Sequence, residues 1–542
     1  MSLTFKLHNW EFALSIAVVA PLGCSGTPST NTCDAISVGG AGGSTACASG
    51  GAATGGAAST AGTTSTGGIF NTGGTVNVGG AQNSGGMPVT AGTVGTGGTL
   101  ATGGGVSLGG TPPNGGAATG GADAGTGGAS SPPCTNLCLR QVACDAGLTT
   151  TVSGTVYAPG HASDPAPPAN GSADPLNGVS VYIPNSALST FTSAVSCDPC
   201  SSPVSGSPLV LTTTGSDGKF VLGNVPVGSN IPLVIQLGRW RRQVTIQNVV
   251  ACTDNPLSSD LTRLPRTHSE GDIPHIAIAT GSVDAIECIF RKIGVADSEF
   301  TNPTAAGRIH IYTGSGSAGA NVGTGTPSES QLMSNLASLE QYDMVLLPCQ
   351  DARYSKTATL QNNLVNYANA GGRVFATHFS YVWLYNIAPF STTANWQVDG
   401  TVPNDQIGTI DQSFAGGSAL ARWLINAGAS TTLGQLPLMV LRNDVLSVFP
   451  PSQSWITISN PAVTVAYAFE TPVGTSPNQQ CGRVAFNDFH VEDTQNNSST
   501  GKVFPSECTA GPMTPQEKLL EFLLFDLERC VGSKAASNSA AR

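Results

Sequence analysis

His378, in the stretch GGRVFATHFS, and His490, in GRVAFNDFHVED, each close a short apolar run. Histidine can both give and take a proton near neutrality. Carboxylates and a thiol stand in comparable places. Asp488 precedes His490 by two residues, Thr280 ends and Asp284 follows the run IPHIAIAT, and Cys349 and Asp351 follow YDMVLLP. Two histidines with one or two aspartates can work as acid and base, or can ligate zinc or manganese. Cys349 fits three roles: a nucleophile, a residue lining a site, or a disulfide or buried thiol. The plainer alternative for His378 and His490 is structural hydrogen bonding at a sheet edge, and Asp488 could equally cap a turn. His275, inside the first apolar run, reads as a structural histidine.

The elements that must position these groups follow from periodicity. After IPHIAIAT, SVDAIECIFRKIGV repeats Ile286, Ile289, Phe290 and Ile293 at helical spacing. GRIHIYTG is a strand, a helix carrying Leu332, Leu336 and Leu339 leads to YDMVLLP, and ATLQNNLVNYANAGG is a helix closed by Gly371. TVAYAFET and CGRVAFND are further strands. The last helix has Thr514 as cap, Pro515 at its first position and Glu517 at its third. Continuous apolar strands between amphipathic helices predict an α/β, flavodoxin-like, mostly parallel sheet over 272–532, covered on both faces. Sites in such sheets form outside the carboxyl ends of the strands, where the candidates stand.

The region from Ser380 to Pro461 holds Trp383, Tyr385, Trp396, Trp423 and Trp455, too much aromatic surface to expose together. It reads as extra core or as an aromatic groove for a glycan, with Trp383 and Trp396 as the binding residues. GSGSAG, 314–319, lacks the lysine of a phosphate-binding loop. Residues 149–262 carry short β-branched and aromatic runs bounded by glycine, proline and aspartate, which predicts an all-β sandwich. Its Arg239-Trp240-Arg241-Arg242 turn is read as an exposed basic turn, or as a contact for an acidic or sugar partner.

The chain has 542 residues, yet 68 are glycine and only 10% are charged, so much of it cannot build a core. Repeats such as TGGIF, TGGTV and TGGTL within 24–148 predict a disordered Gly-rich stalk, and 533–542 a disordered tail. A net charge of -11 argues against nucleic acid as a partner. One lysine and an apolar run too short to span a bilayer predict an export signal over 1–23. Most of the remaining cysteines flank the two predicted folded regions, and after export disulfides are their first reading. Zinc is the competitor at Cys134-x3-Cys138 and Cys197-x2-Cys200.

Three resemblances add to this. PLGC at 21–24 resembles the lipobox of bacterial lipoproteins, with Pro21 in an unusual place, and implies lipidation at Cys24. VSGTVYAP, LNGVSVYIP and TTTGSDGKFVLGNVPVG resemble carboxypeptidase regulatory-like domains and their collagen-adhesin B-type relatives. In that family the last segment is a hairpin, here turning at Ser216-Asp217-Gly218. YDMVLLP, GGRVFATH and GRVAFNDFH resemble the ThuA-like branch of the class I glutamine-amidotransferase-like superfamily, which implies strand-end histidines at His378 and His490. Amidotransferases carry a nucleophilic cysteine on the turn that here reads Thr377-His378-Phe379, so glutamine hydrolysis is not implied.

The expectation is a multidomain, extracytoplasmic lipoprotein anchored at the cell envelope, outer membrane or cell surface, or otherwise secreted. It would bind or scaffold a cell-surface glycan or protein. The alternative is a hydrolase or isomerase of a sugar-like substrate using His378, His490, Cys349 and Asp488. No organic cofactor is expected; a divalent metal is compatible with these residues.

Overall fold

The computed structural model describes residues 134–160, 173–317, 319–491 and 501–532. The expected signal, Cys24, most of the glycine-rich stretch and the tail lie outside them. A β-sheet-rich region comes first and a mixed α/β region follows.

Among its described residues the β-rich region has seven strands: β1 (Thr151–Thr155), β2 (Ser180–Pro184), β3 (Pro208–Thr213), β4 (Lys219–Gly223), β5 (Gly228–Leu237), β6 (Trp240–Val249) and β7 (Asp254–Pro256). They form two sheets, β4-β1-β7 and β3-β2-β5-β6. Period-two patterning explains the fold: in β4, Phe220 and Leu222 point inward while Lys219, Val221 and Gly223 are exposed. Those inward residues share one core with Val181, Ile183, Leu233 and Ile235 of the other sheet. One expectation is corrected. The segment turning at Ser216-Asp217-Gly218 is no hairpin, because β3 and β4 belong to different sheets. The chain turns tightly, with Gly218 N–H donating to Gly215 O at 2.9 Å, and crosses from one sheet to the other.

The α/β region runs β8 (Ile276–Thr280), α1 (Ile286–Lys292), β9 (Phe300–Thr301), β10 (Ile309–Thr313), α2 (Glu329–Met333), α3 (Leu336–Leu339), β11 (Met344–Leu347), α4 (Ala358–Asn369) and β12 (Arg373–Thr377). It continues with β13 (Ala394–Gly400), β14 (Gln406–Ile410), α5 (Ala415–Asn426), β15 (Gln435–Leu438), β16 (Asn443–Val448), β17 (Gln453–Ser459), β18 (Ala462–Thr471), β19 (Gly482–Asn487) and α6 (Pro515–Leu527). Ten strands make one sheet, ordered β15-β14-β17-β18-β19-β12-β11-β8-β10-β9. From β19 to β9 every pairing is parallel. From β19 to β15 every pairing is antiparallel, so the sheet is mixed where a mostly parallel one was expected. The physical reason is connection length. β17 and β18 are joined through Asn460-Pro461 alone, and so short a link permits only an antiparallel pair.

Alternation in the parallel strands shows why both faces are covered. Ile276 and Ile278 of β8 join the core containing α1 and α6, whereas Ala277 and Ala279 join Leu339, Leu364 and Ala368 on the other face. α6 starts as its sequence requires: Glu517 N–H donates to Thr514 Oγ1 at 3.2 Å and Thr514 N–H to Glu517 Oε2 at 2.6 Å.

The two regions share a continuous core, with Trp240 edge-on to Phe525 at 5.9 Å. The arginine turn expected at the surface lies in this seam. Arg239 pairs with Asp343 at 2.9 Å, Arg241 with Asp272 at 2.9 Å, and Trp240 is 1% exposed. Five disulfides form among the described residues: Cys134–Cys138, Cys144–Cys252, Cys197–Cys481, Cys200–Cys530 and Cys288–Cys508. The zinc alternative at the Cys-x3-Cys and Cys-x2-Cys pairs is thereby replaced, since those sulfurs are oxidised. No helix among the described residues is long and apolar enough to cross a membrane.

Candidate functional site

β8, β11, β12 and β19 are neighbouring parallel strands or are separated only by one another, so their carboxyl ends meet at one edge of the sheet. Their direction explains how residues remote in sequence converge. Asp284 follows β8, Cys349 follows β11, Thr377 and His378 end β12, and His490 follows β19. Cys349 Sγ lies 3.3 Å from His378 Nδ1. The rings of His378 and His490 stand edge to face with centroids 4.9 Å apart. One donor atom from each of Cys349, His378 and His490 lies within 4.8 Å of the others, a set that could hold a metal ion.

The backbone around this cluster is under load. His378 begins a 3-10 turn, His378–Trp383, directly after β12, with φ of 36°, in the left-handed region that a bulky residue rarely adopts. Gly281 lets two strand ends touch: a Cβ there would fall 2.0 Å from Cys349 O.

Each histidine is backed by a carboxylate. His490 Nδ1 is 3.1 and 3.2 Å from the two oxygens of Asp284. Asp284 also accepts Val491 N–H at 3.0 Å and the Thr377 hydroxyl at 2.5 Å. The same hydroxyl accepts Cys349 N–H at 2.8 Å, so Thr377 ties three strand ends together. His378 Nε2 faces Asp444 Oδ2 at 3.9 Å, beyond hydrogen-bond distance. Asp444 N–H donates to Asp488 Oδ2 at 2.8 Å. Asp444 Oδ1 accepts Asp399 N–H at 2.7 Å; Asp399, exposed, also takes the Tyr381 hydroxyl at 2.6 Å and pairs with Arg353 at 2.7 Å.

Burial sets the protonation states. It pushes His378 down to about 2, with the charges of His490 and Arg442 adding to the effect. It pushes the Cys349 thiol well above its ordinary range, with Asp284 reinforcing the shift. Cys349 and His378 therefore meet as neutral thiol and neutral imidazole, not as the thiolate–imidazolium pair of an activated nucleophile. Burial also raises Asp488, which the neighbouring Asp444 charge raises further, and raises Asp444. These two carboxyls hold a proton as a pair.

Of the predicted site residues, Cys349, His378 and His490 come together, while Asp488 reaches the cluster only through Asp444. Cys349 is a free, buried thiol and forms no disulfide. Thr280 bonds the carbonyls of Tyr312 and Ala320 and stands apart; Asp351 is exposed. His275 packs on His310 and Tyr342 just before β8, as a structural histidine. The groove reading is corrected at Trp383. Its ring is 0% exposed and its Nε1 donates to Glu329 at 3.1 Å, so no glycan reaches it. Trp396 is half-buried, its ring edge-on to Tyr467 and Phe486. Sequence reasoning missed Asp444 and Thr377. The signal for Asp444 was a charge inside the apolar run NDVLSV.

No family model matches this chain, and no curated protein does. Solved structures give remote likenesses. The mmIFT52 N-terminal domain is 13% identical, covering 34% of this chain and 73% of its own, with a TM-score of 0.23. A ThuA-like protein from Bacteroides uniformis is 9% identical, covering 46% and 88%, with a TM-score of 0.27. A type II cohesin–X-dockerin complex from Acetivibrio cellulolyticus is 17% identical, covering 27% and 84%, with a TM-score of 0.15. At such scores none of them carries a functional argument.

Proposed function

We propose that the α/β region is a hydrolase or isomerase of a sugar-like substrate, with His378 and His490 as acid, base or metal-ligating residues. One observation carries this reading: two histidines, each backed by a carboxylate, converge on Cys349 at the carboxyl ends of parallel strands. The strand order supports it. Taking β8, β10, β11, β12 and β19 in chain order, they lie second-first-third-fourth-fifth across the sheet. That order matches a doubly wound, flavodoxin-like arrangement, in which the reversal beside the first strand is where such sheets build their sites. The ThuA-like reading of 272–532 and the β-sandwich reading of 149–262 belong to the same proposal. So does export, which the disulfides support through an oxidising compartment, and with it the lipid expected on Cys24.

The test is turnover of a panel of disaccharides and aryl glycosides by the full chain. The His378→Ala and His490→Ala variants should each lose roughly 10²–10⁴-fold in rate with folding intact. Turnover that survives both substitutions ends the reading.

A second reading, a cell-surface binding or scaffold protein, is favoured by the closure of this site. Cys349, His378, His490 and Asp488 are 0, 3, 5 and 0% exposed. A described cavity lies elsewhere, among Phe375, Trp455, Ala485 and Leu523. Absence of turnover, together with glycan binding that Trp396→Ala abolishes, would establish that reading instead.

A further inference from the structure

We infer that Cys349, His378 and His490 form a mononuclear zinc-type centre, with the Cys349 sulfur, His378 Nδ1 and His490 Nε2 as ligands. The inference deepens the hydrolase or isomerase reading, on whose site it rests.

Geometry is the first argument. Zinc holds thiolate sulfur at about 2.3 Å and imidazole nitrogen at about 2.0–2.1 Å in a tetrahedron, so neighbouring ligand atoms stand about 3.3–3.6 Å apart. The Cys349–His378 separation of 3.3 Å already has that value, and all three donor atoms lie within 4.8 Å of one another. A small inward movement of His490 completes the set.

The second argument lies behind the ligands. A metal-bound histidine characteristically gives its other ring nitrogen to a carboxylate, which fixes its tautomer and aim. His490 has this arrangement, and His378 has a carboxylate within ion-pair reach. Asp284 holds His490 by Nδ1 at 3.1 Å, leaving Nε2 as the ligand atom. Asp444 Oδ2 stands 3.9 Å from His378 Nε2, on the side away from Cys349, within ion-pair reach. A sheet-edge histidine with only a structural role needs one hydrogen bond, not a matched carboxylate for each of two rings.

Donor chemistry then selects the ion. One thiolate and two imidazoles suit zinc, cobalt or copper, whereas magnesium, calcium and manganese prefer oxygen. Three protein ligands leave a fourth position for water or substrate, the pattern of a catalytic site and not of a closed structural one. Binding exchanges the Cys349 S–H bond for a sulfur–metal bond, and the displaced proton goes to solvent.

The experiment uses the full chain with its disulfides intact and Co(II) as the probe. One Co(II) per chain should bind, with a thiolate-to-cobalt charge-transfer band in the near ultraviolet and release of one proton. Zn(II) should displace it. Cys349→Ser should abolish that band. Asp284→Asn keeps every ligand and should weaken Co(II) binding roughly 10–100-fold. That variant decides the matter if Cys349→Ser fails to fold. The inference is overturned if the wild type shows no such band, if the band persists in folded Cys349→Ser, or if Asp284→Asn binds as tightly as the wild type. Turnover separates the two claims. Activity lost in His378→Ala but fully retained by metal-free protein removes the metal and keeps the acid–base pair. Stoichiometric Co(II) binding without any turnover keeps the metal and removes the enzyme.

Discussion

Thr377 offers the sharpest test of how the candidate site is held. Its hydroxyl accepts Cys349 N–H at 2.8 Å and donates to Asp284 at 2.5 Å, and the residue is 1% exposed. Thr377→Val preserves shape and the β-branched preference of a strand end, so no cavity opens. What changes is polar. The Cys349 N–H is stranded, costing about 1–3 kcal/mol, and Asp284 loses a charge-assisted bond of about 1.5–3 kcal/mol. The expected loss is about 3–5 kcal/mol. Thr377→Ser keeps the hydroxyl and removes only a methyl, for about 1 kcal/mol. Equilibrium urea unfolding measures both as shifts in midpoint at constant slope. A double-mutant cycle with Asp284→Asn should show a coupling of about 1–3 kcal/mol, because the two side chains share one bond. If Thr377→Val costs no more than Thr377→Ser, or if the cycle is additive, the hydroxyl is not the pin that joins the strand ends.

Other consequences concern the site's neighbours. Gly281→Ala places a Cβ 2.0 Å from Cys349 O, so the β8 and β11 ends must separate; we expect a loss of about 3 kcal/mol or more and faster reaction of Cys349 with a thiol reagent. Replacing Cys197 and Cys481 by serine removes one of the two bridges tying the 185–207 segment to the α/β region; a loss of about 2–4 kcal/mol should appear in thermal melts with Cys349 reactivity unchanged. Burial, and then the neighbouring His275, push His310 down to about 4, while Arg308 disfavours its charge and Tyr342 bonds its Nδ1 at 2.8 Å. The unfolded chain therefore binds a proton that the folded chain refuses. Stability from this group is fully present above about pH 6.5 and is lost as pH falls toward 4, by at most about 3 kcal/mol. His310→Gln should flatten the stability–pH curve in that window, and an unchanged curve refutes the assignment.

Local signals were legible and long-range partners were not. β8, β10, β11, β12 and β19 of the parallel half were largely apolar runs in the sequence, because burial on both faces leaves little room for alternation, whereas the two-residue edge strand β9 gave no such signal. α6 announced itself through Thr514, Pro515 and Glu517, whose bonds are all local. Strand polarity placed His378 and His490 at strand ends, and nothing more was needed to bring them together. Other features depend on partners a hundred or more residues away. Asp284 and His490 are 206 positions apart, and Asp343 lies far from Arg239, so an arginine turn that looked exposed is buried at a seam. The β3–β4 segment failed for a related reason: a tight turn fixes a local reversal, but which sheet each strand joins is decided by the core beyond it.

The closure of the strand-end cluster is itself informative. Burying two imidazoles, a thiol and two paired carboxyls without solvent costs free energy that an apolar cluster would avoid. The fold spends backbone freedom on the same spot, with His378 at a φ of 36° and Gly281 pressed against Cys349. Part of the polarity is satisfied, through Asp284, Thr377 and the backbone of Val491. Asp444 and Asp488 satisfy one another by sharing a proton, but the 3.9 Å from Asp444 Oδ2 to His378 Nε2 is left unbridged. Paired carboxyls buried beside a histidine they do not bond are hard to account for as packing alone, since a leucine or asparagine at 444 would be less costly there. They are accounted for if His378 carries an N–H toward Asp444 whenever its other nitrogen is engaged by a ligand. On that view Asp444→Asn leaves stability nearly unchanged or raised, but weakens whatever His378 Nδ1 holds. A structural histidine predicts no change in ligand affinity, and measuring stability and Co(II) affinity on one variant separates the two.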